Sequence, residues 1–167
     1  MSKQKSKGKK FEDIIADTIH EFLLEYCPPY QDNLKINEDL RVKRNPTSGS
    51  TDKDDGDIDL GVAKKFFPYS IECKKWDNLG DLTIQQLLNP KMPLKKIYIL
   101  QCIPQANLKN LTPLLVFAGN RTKMYCFFDK RIIKINNNNL SFYIILDNFQ
   151  ICLFKEFLVE VKNVAKF

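Results

Sequence analysis

The stretch on which the fold turns is Tyr69-Ser70-Ile71-Glu72-Cys73-Lys74-Lys75. Ile71 and Cys73 alternate with Ser70, Glu72 and Lys74. That is the two-residue period of a strand with one face in a core and the other carrying a carboxylate and an amine. Upstream, Ile58-Asp59-Leu60-Gly61-Val62 has the same character, and Leu40-Arg41-Val42-Lys43-Arg44 alternates apolar and basic residues. Lys64-Lys65 and Pro68 mark a turn before Tyr69, so the three segments predict an antiparallel meander.

Outward from this centre the pattern changes period. Phe11, Ile14, Ile15, Ile19, Phe22, Leu23 and Tyr26 recur at helical spacing, and Cys27-Pro28-Pro29 ends the run. Residues 30–40 read as a polar connection. On the other side, Leu82 to Leu88 predicts a short helix ended by Asn89-Pro90. Pro93 to Leu111 is ambiguous: Ile97-Tyr98-Ile99-Leu100 favours a strand, its wider spacing favours a helix, and Pro104 opposes an undisturbed helix. Leu114 to Ala118 and Met124 to Phe128 are strands joined at Gly119-Asn120-Arg121. Asn136 to Asn139 is a polar loop, Ser141 to Leu146 a further strand, and Leu153 to Phe167 a helical tail. The fold class is therefore α/β, a central sheet flanked by helices.

The 167 residues fit one domain. We expect a flexible basic arm at 1–10 and a single domain over 11–167, its core at about 11–128 and a C-terminal extension at 129–167. No uncharged apolar run approaches the roughly 18 residues of a membrane span, and residues 1–10 lack the apolar segment of a signal peptide, so an intracellular protein is expected. The five cysteines are single and contain no CxxC pair, which points to buried free thiols rather than zinc or disulfides. The only histidine is His20, and no nucleophile elbow accompanies it. Trp76 and Phe66-Phe67 fit packing better than base stacking.

Charge adds a second clue. Twenty-six basic residues face twenty acidic ones, for a net charge of +6, yet Asp52, Asp54, Asp55, Asp57 and Asp59 crowd into eight positions. A basic chain with one acidic knot suits a polyanion surface around a cation site, and equally a soluble surface with an acidic loop. Adjacent antiparallel strands would set Asp59 beside Glu72, with Lys74 on the face of Glu72. Two hard oxygen ligands completed by water, with the backbone carbonyl of Cys73, make a reasonable Mg²⁺ site, and Mn²⁺ would substitute. Such an ion acidifies a bound water, while Lys74 positions that water or neutralises developing charge. Glu12 reaches such an ion through a water, or is an ordinary acid at a helix start. The lysines from Lys3 to Lys10, Lys9 and Lys10 among them, suit phosphate contacts without sequence preference or a solvated arm.

Taken together, Gly8-Lys9-Lys10-Phe11-Glu12, Arg44-Asn45-Pro46-Thr47-Ser48-Gly49-Ser50, Gly56-Asp57-Ile58-Asp59-Leu60 and Tyr69 to Lys75 resemble the PD-(D/E)XK nuclease superfamily. Within it the likeness is to archaeal-type and phage Holliday-junction resolvases, over roughly residues 8–128. The resemblance implies a restriction-endonuclease-like core. It implies Glu12, Asp59 and Glu72 as metal-binding acids, and Lys74 as the catalytic lysine. It also implies Arg44, Ser48, Ser50 and Lys75 at the DNA, and Gln101 in support if its segment is helical. Asp57 competes with Asp59 for the ligand role; the spacing to Glu72 favours Asp59. The expected protein is a homodimeric, metal-dependent endonuclease on branched DNA such as a four-way junction. The alternatives are a restriction-like, homing or repair endonuclease on duplex DNA and a non-catalytic DNA-binding protein.

Overall fold

A computed structural model describes residues 3–46, 56–76, 93–120 and 122–164, with side chains from residue 7 to 162 within them. The first helix, α1 (Lys3–Tyr26), buries Phe11, Ile15, Ile19 and Leu23 along one stripe, as the spacing predicts. It begins earlier than expected: residues 3–10, read from sequence as an arm, continue the helix. Lysine and glutamine are good helix formers, so an amphipathic helix anchored by Phe11 propagates through them.

Cys27 ends α1, but the two prolines also start α2 (Pro28–Ile36), where their missing N–H groups cost nothing. This helix replaces the predicted connection because Tyr30 gives it a buried anchor. The Tyr30 hydroxyl accepts the N–H of Val42 at 3.0 Å and lies 2.8 Å from His20 Nδ1. After a 3₁₀ turn at Glu38–Leu40, β1 (Lys43–Arg44) pairs antiparallel with β2 (Ile58–Asp59), Lys43 opposite Asp59.

The predicted meander stops there. The backbone turns at Leu60 and Gly61, where φ is +50°, and enters a 3₁₀ helix (Gly61–Lys65) instead of a strand through Val62. The Gly61 N–H donates to Asp59 Oδ1 at 3.0 Å, an aspartate turn that competes with strand pairing. The next strand, β3 (Tyr69–Trp76), therefore does not pair antiparallel with β2. It runs parallel to β4 (Thr112–Gly119), with Glu72 opposite Leu115 and Lys74 opposite Phe117.

A parallel pair needs a crossover, and helices supply it. α3 (Leu94–Ile97), a π-helical turn (Tyr98–Cys102) and α4 (Ile103–Lys109) run on with helical backbone angles. This resolves the ambiguous segment as helix. Pro104 is accommodated because it falls in the first turn of α4, directly after the wider π turn. The sheet continues through β5 (Met124–Asp129), β6 (Tyr143–Leu146) and β7 (Phe149–Leu153) in the order β3-β4-β5-β7-β6, antiparallel beyond β4. α5 (Phe154–Val164) ends the described chain.

The sheet is covered on both faces. Ile71, Cys73, Leu114, Val116, Cys126 and Phe128 pack with residues of α1 and α5. Leu115, Phe117, Tyr125 and Phe127 pack with Leu94, Tyr98 and Cys102. β4 is buried on both sides, which explains its unbroken apolar run. The protein is mixed α/β, a five-stranded mixed sheet flanked by helices, with β3 at one edge. Trp76 packs against Phe117, their rings 5.9 Å apart, as core packing predicts. The helix expected at Leu82 to Leu88 lies outside the described residues, as do Ser48, Ser50, Asp52, Asp54, Asp55 and Arg121.

Candidate active site

The edge of β3 away from β4 is where the chemistry-bearing residues meet. Gly56, with φ of +93°, forms a parallel bridge to Ile71. A Cβ there would stand 2.5 Å from the Ile71 carbonyl oxygen, so only glycine lets the chain approach this closely. The approach delivers Asp57. Its N–H donates to the Ile71 carbonyl at 2.8 Å, and its own carbonyl accepts the Asn45 N–H at 2.9 Å. Its Oδ2 accepts the N–H of Cys73 at 2.7 Å.

Beside it, Glu72 is 6 % exposed and its Oε1 takes an ion pair from Lys74 Nζ. Burial pushes the Asp57 carboxyl up to about 7, helped by the negative charge of Glu72 and then of Glu12, and opposed by the Cys73 N–H and by Lys74. For Lys74, burial works against the ammonium, but the carboxylates of Glu72 and Asp57 outweigh it and hold the pKa above the ordinary lysine value. Burial, with Asp57, Glu72 and Glu12 around it, drives the Cys73 thiol well up, so the sulfur is neutral. Cys102 on the π turn is raised as well, by burial first and then by Glu72.

The structure thus brings Glu72, Lys74 and the charge of Glu12 together, as expected, but with Asp57 in the place expected of Asp59. Asp59 stands opposite Lys43 and binds the Gly61 N–H. The signal missed in the sequence was Gly56. It reads as a turn residue, whereas its positive φ is what lays Asp57 along β3.

Of the expected DNA contacts, Arg44 faces Asp13, Nε to Oδ1 at 3.3 Å, and donates from Nη1 to the Asn45 carbonyl. Lys75 Nζ lies 5.5 Å from the centre of the Phe11 ring. Lys9 and Lys10 are exposed on α1. Gln101 is helical but exposed, while Cys102 beside it turns inward. Gln105 lies one turn beyond Cys102, and its buried Oε1 lacks a hydrogen-bond partner among the described residues.

Among the described residues, no three histidine, cysteine or acidic side chains converge to hold an ion unaided. A hard divalent cation needs fewer: Mg²⁺ commonly takes one or two carboxylates and keeps several waters. Asp57 and Glu72 supply hard oxygens. Alternate residues of a strand turn their backbone polar groups to opposite edges, so the Cys73 carbonyl leaves on the Asp57 side with its N–H. Burial and then the charge of Glu72 raise Asp57, and a cation offsets both by neutralising the paired acids, so the donor set fits.

Among the described residues no helix is long and apolar enough to cross a membrane. No curated protein and no solved structure matches the chain. The family described as "Phage putative PDDEXK endonuclease" matches residues 3–166, nearly the whole chain. With its mixed sheet and flanking helices, consistent with a restriction-endonuclease-like fold, the chain belongs to this PD-(D/E)XK family of phage endonucleases.

Proposed function

We propose that the protein is a metal-dependent DNA endonuclease that prefers branched DNA, a four-way junction above all, and acts as a homodimer carrying one site per subunit. Membership of a nuclease family implies DNA as substrate, and PD-(D/E)XK nucleases generally use divalent metals. The observation that carries the reading is the Asp57 carboxylate on the Cys73 N–H, next to the Glu72–Lys74 pair.

In this reading Asp57, Glu72 and the Cys73 carbonyl would hold Mg²⁺ or Mn²⁺, with the negative charge of Glu12 nearby. The bound ion supplies an acidified water and neutralises phosphate charge. Lys74, kept protonated by its carboxylate neighbours, acts as a donor: it orients the attacking water or stabilises charge on the phosphoryl oxygen. Lys9, Lys10 and Lys75 contact phosphates of the substrate strand and help position it. The complete acid–lysine set supports catalysis over a purely DNA-binding role.

The test compares a four-way junction, a flap, a linear duplex and single-stranded DNA at one salt concentration, with Mg²⁺ and with EDTA. Preferential, EDTA-sensitive cutting of the junction is expected. Glu72→Ala and Lys74→Ala should lose roughly 100-fold or more in rate while binding DNA. Equal cutting of plain duplex would end the junction preference and keep the nuclease; cutting in EDTA would end the metal mechanism.

A further inference from the structure

Gly8 is a helical glycine. It sits inside α1, one helical turn before Glu12, where glycine weakens a helix relative to alanine. Neither usual reason for glycine applies. Its φ is not positive, unlike those of Gly56 and Gly61. Among the described residues, the only atom within 4 Å of where its Cβ would stand is Glu12 Oε1, at 3.8 Å, an ordinary contact. Among the described residues there is room for a methyl group there.

What glycine provides, among the described residues, is a partly exposed patch of bare helix backbone beside the Glu12 carboxylate. Helical side chains lean toward the N-terminus, and the Glu12 carboxylate lies back over Gly8 accordingly. The same carboxylate acts electrostatically on Asp57 and Cys73, so the patch borders the acidic cluster. Exposed Lys7, Lys9 and Lys10 flank it on the helix. The exposed ammonium groups suit a phosphodiester, and the carboxylates border it only where a cation neutralises them.

We infer that Gly8 is a close-approach position: the sugar–phosphate of the substrate strand passes over its bare backbone to seat a phosphodiester beside Glu12. The inference rests on the nuclease reading and adds a specificity-determining residue to it. It is steric, so its signature differs from that of the neighbouring lysines, whose contribution depends on salt.

The experiment compares wild type, Gly8→Ala, Gly8→Val and Lys9→Ala by melting temperature, by anisotropy with a labelled four-way junction in EDTA across a salt series, and by cleavage in Mg²⁺. Gly8→Ala should melt a few degrees higher than wild type yet bind and cut DNA at least about tenfold less well, with wild-type salt dependence. Gly8→Val should lose more, and Lys9→Ala should show a shallower salt slope. Wild-type binding and cutting by Gly8→Ala would overturn the inference while leaving the nuclease intact. A lower melting temperature for Gly8→Ala would overturn it too, because the fold itself would then need the glycine. Absence of cleavage by wild type on every DNA would bring down both readings.

Discussion

The Asp57 carboxylate caps the outer edge of β3 by accepting the Cys73 N–H at 2.7 Å, between the Ile71 carbonyl that takes its own N–H and the buried Glu72. One residue thus closes the backbone of a sheet edge and contributes a negative charge where another is already buried. That doubling is unfavourable for the fold and useful to a cation site.

The cost should be measurable. The Asp57 carboxyl stands at about 7 in the folded protein, by burial first and then by Glu72, against about 4 for an ordinary aspartate. The folded state therefore holds the proton more tightly than the unfolded chain. The stability this confers is complete below about pH 4 and is lost as pH rises through about 7. Asp57→Asn removes the charge, so the variant should melt much like wild type near pH 4. Metal-free at pH 8 it should be more stable by roughly 2–3 kcal/mol, solvent screening taking part of the shift. Thermal melts of both proteins over this range check it. A wild type more stable than the variant at pH 8 contradicts the charge account.

Divalent cations should reverse that penalty. Mg²⁺ binding only the folded state raises the melting temperature by mass action, and the rise should appear in wild type and vanish in Asp57→Asn and Glu72→Gln. Melting scans with Mg²⁺, Mn²⁺ and EDTA read this without DNA. Equal Mg²⁺ stabilisation of all three proteins would place the ion elsewhere.

How much was visible beforehand depended on how local each signal was. The stripe of α1 and the apolar runs of β4 and β5 announce themselves because period and composition are properties of neighbouring residues. Glu72 and Lys74 were legible for the same reason, two residues apart on one strand. The partner of β3 was not. Its parallel pairing with β4 joins residues more than forty positions apart, and nothing local distinguishes that partner from the nearer β2. The exchange of Asp57 for Asp59 follows from the same blindness. The spacing to Glu72 favours Asp59, whereas the backbone turns at Gly56 and Gly61 decide which acid faces β3. α2 was missed because its support is one buried hydroxyl, Tyr30 to Val42, with no periodic stripe.

The sole histidine gives an independent check on that region. The Tyr30 hydroxyl accepts the Val42 N–H at 3.0 Å and shares a hydrogen bond with His20 Nδ1 at 2.8 Å. Burial and then the charge of Arg41 lower the His20 pKa, against Asp17 and Glu21. The folded pKa is depressed, so the stability contributed is present above the unfolded value of about 6.5 and is lost as pH falls below it. An NMR titration of the single imidazole should find a midpoint below about 6.5; a midpoint above it would contradict the account by burial and the Arg41 charge.

The most direct test of the central claim is cleavage of the preferred DNA by Asp57→Asn and Asp59→Asn in Mg²⁺, side by side with wild type. Asp57→Asn should lose roughly 100-fold or more in rate, and Asp59→Asn, which disturbs only the turn at Gly61, should cut within a few-fold of wild type. An inactive Asp59→Asn beside an active Asp57→Asn would contradict the account of the site.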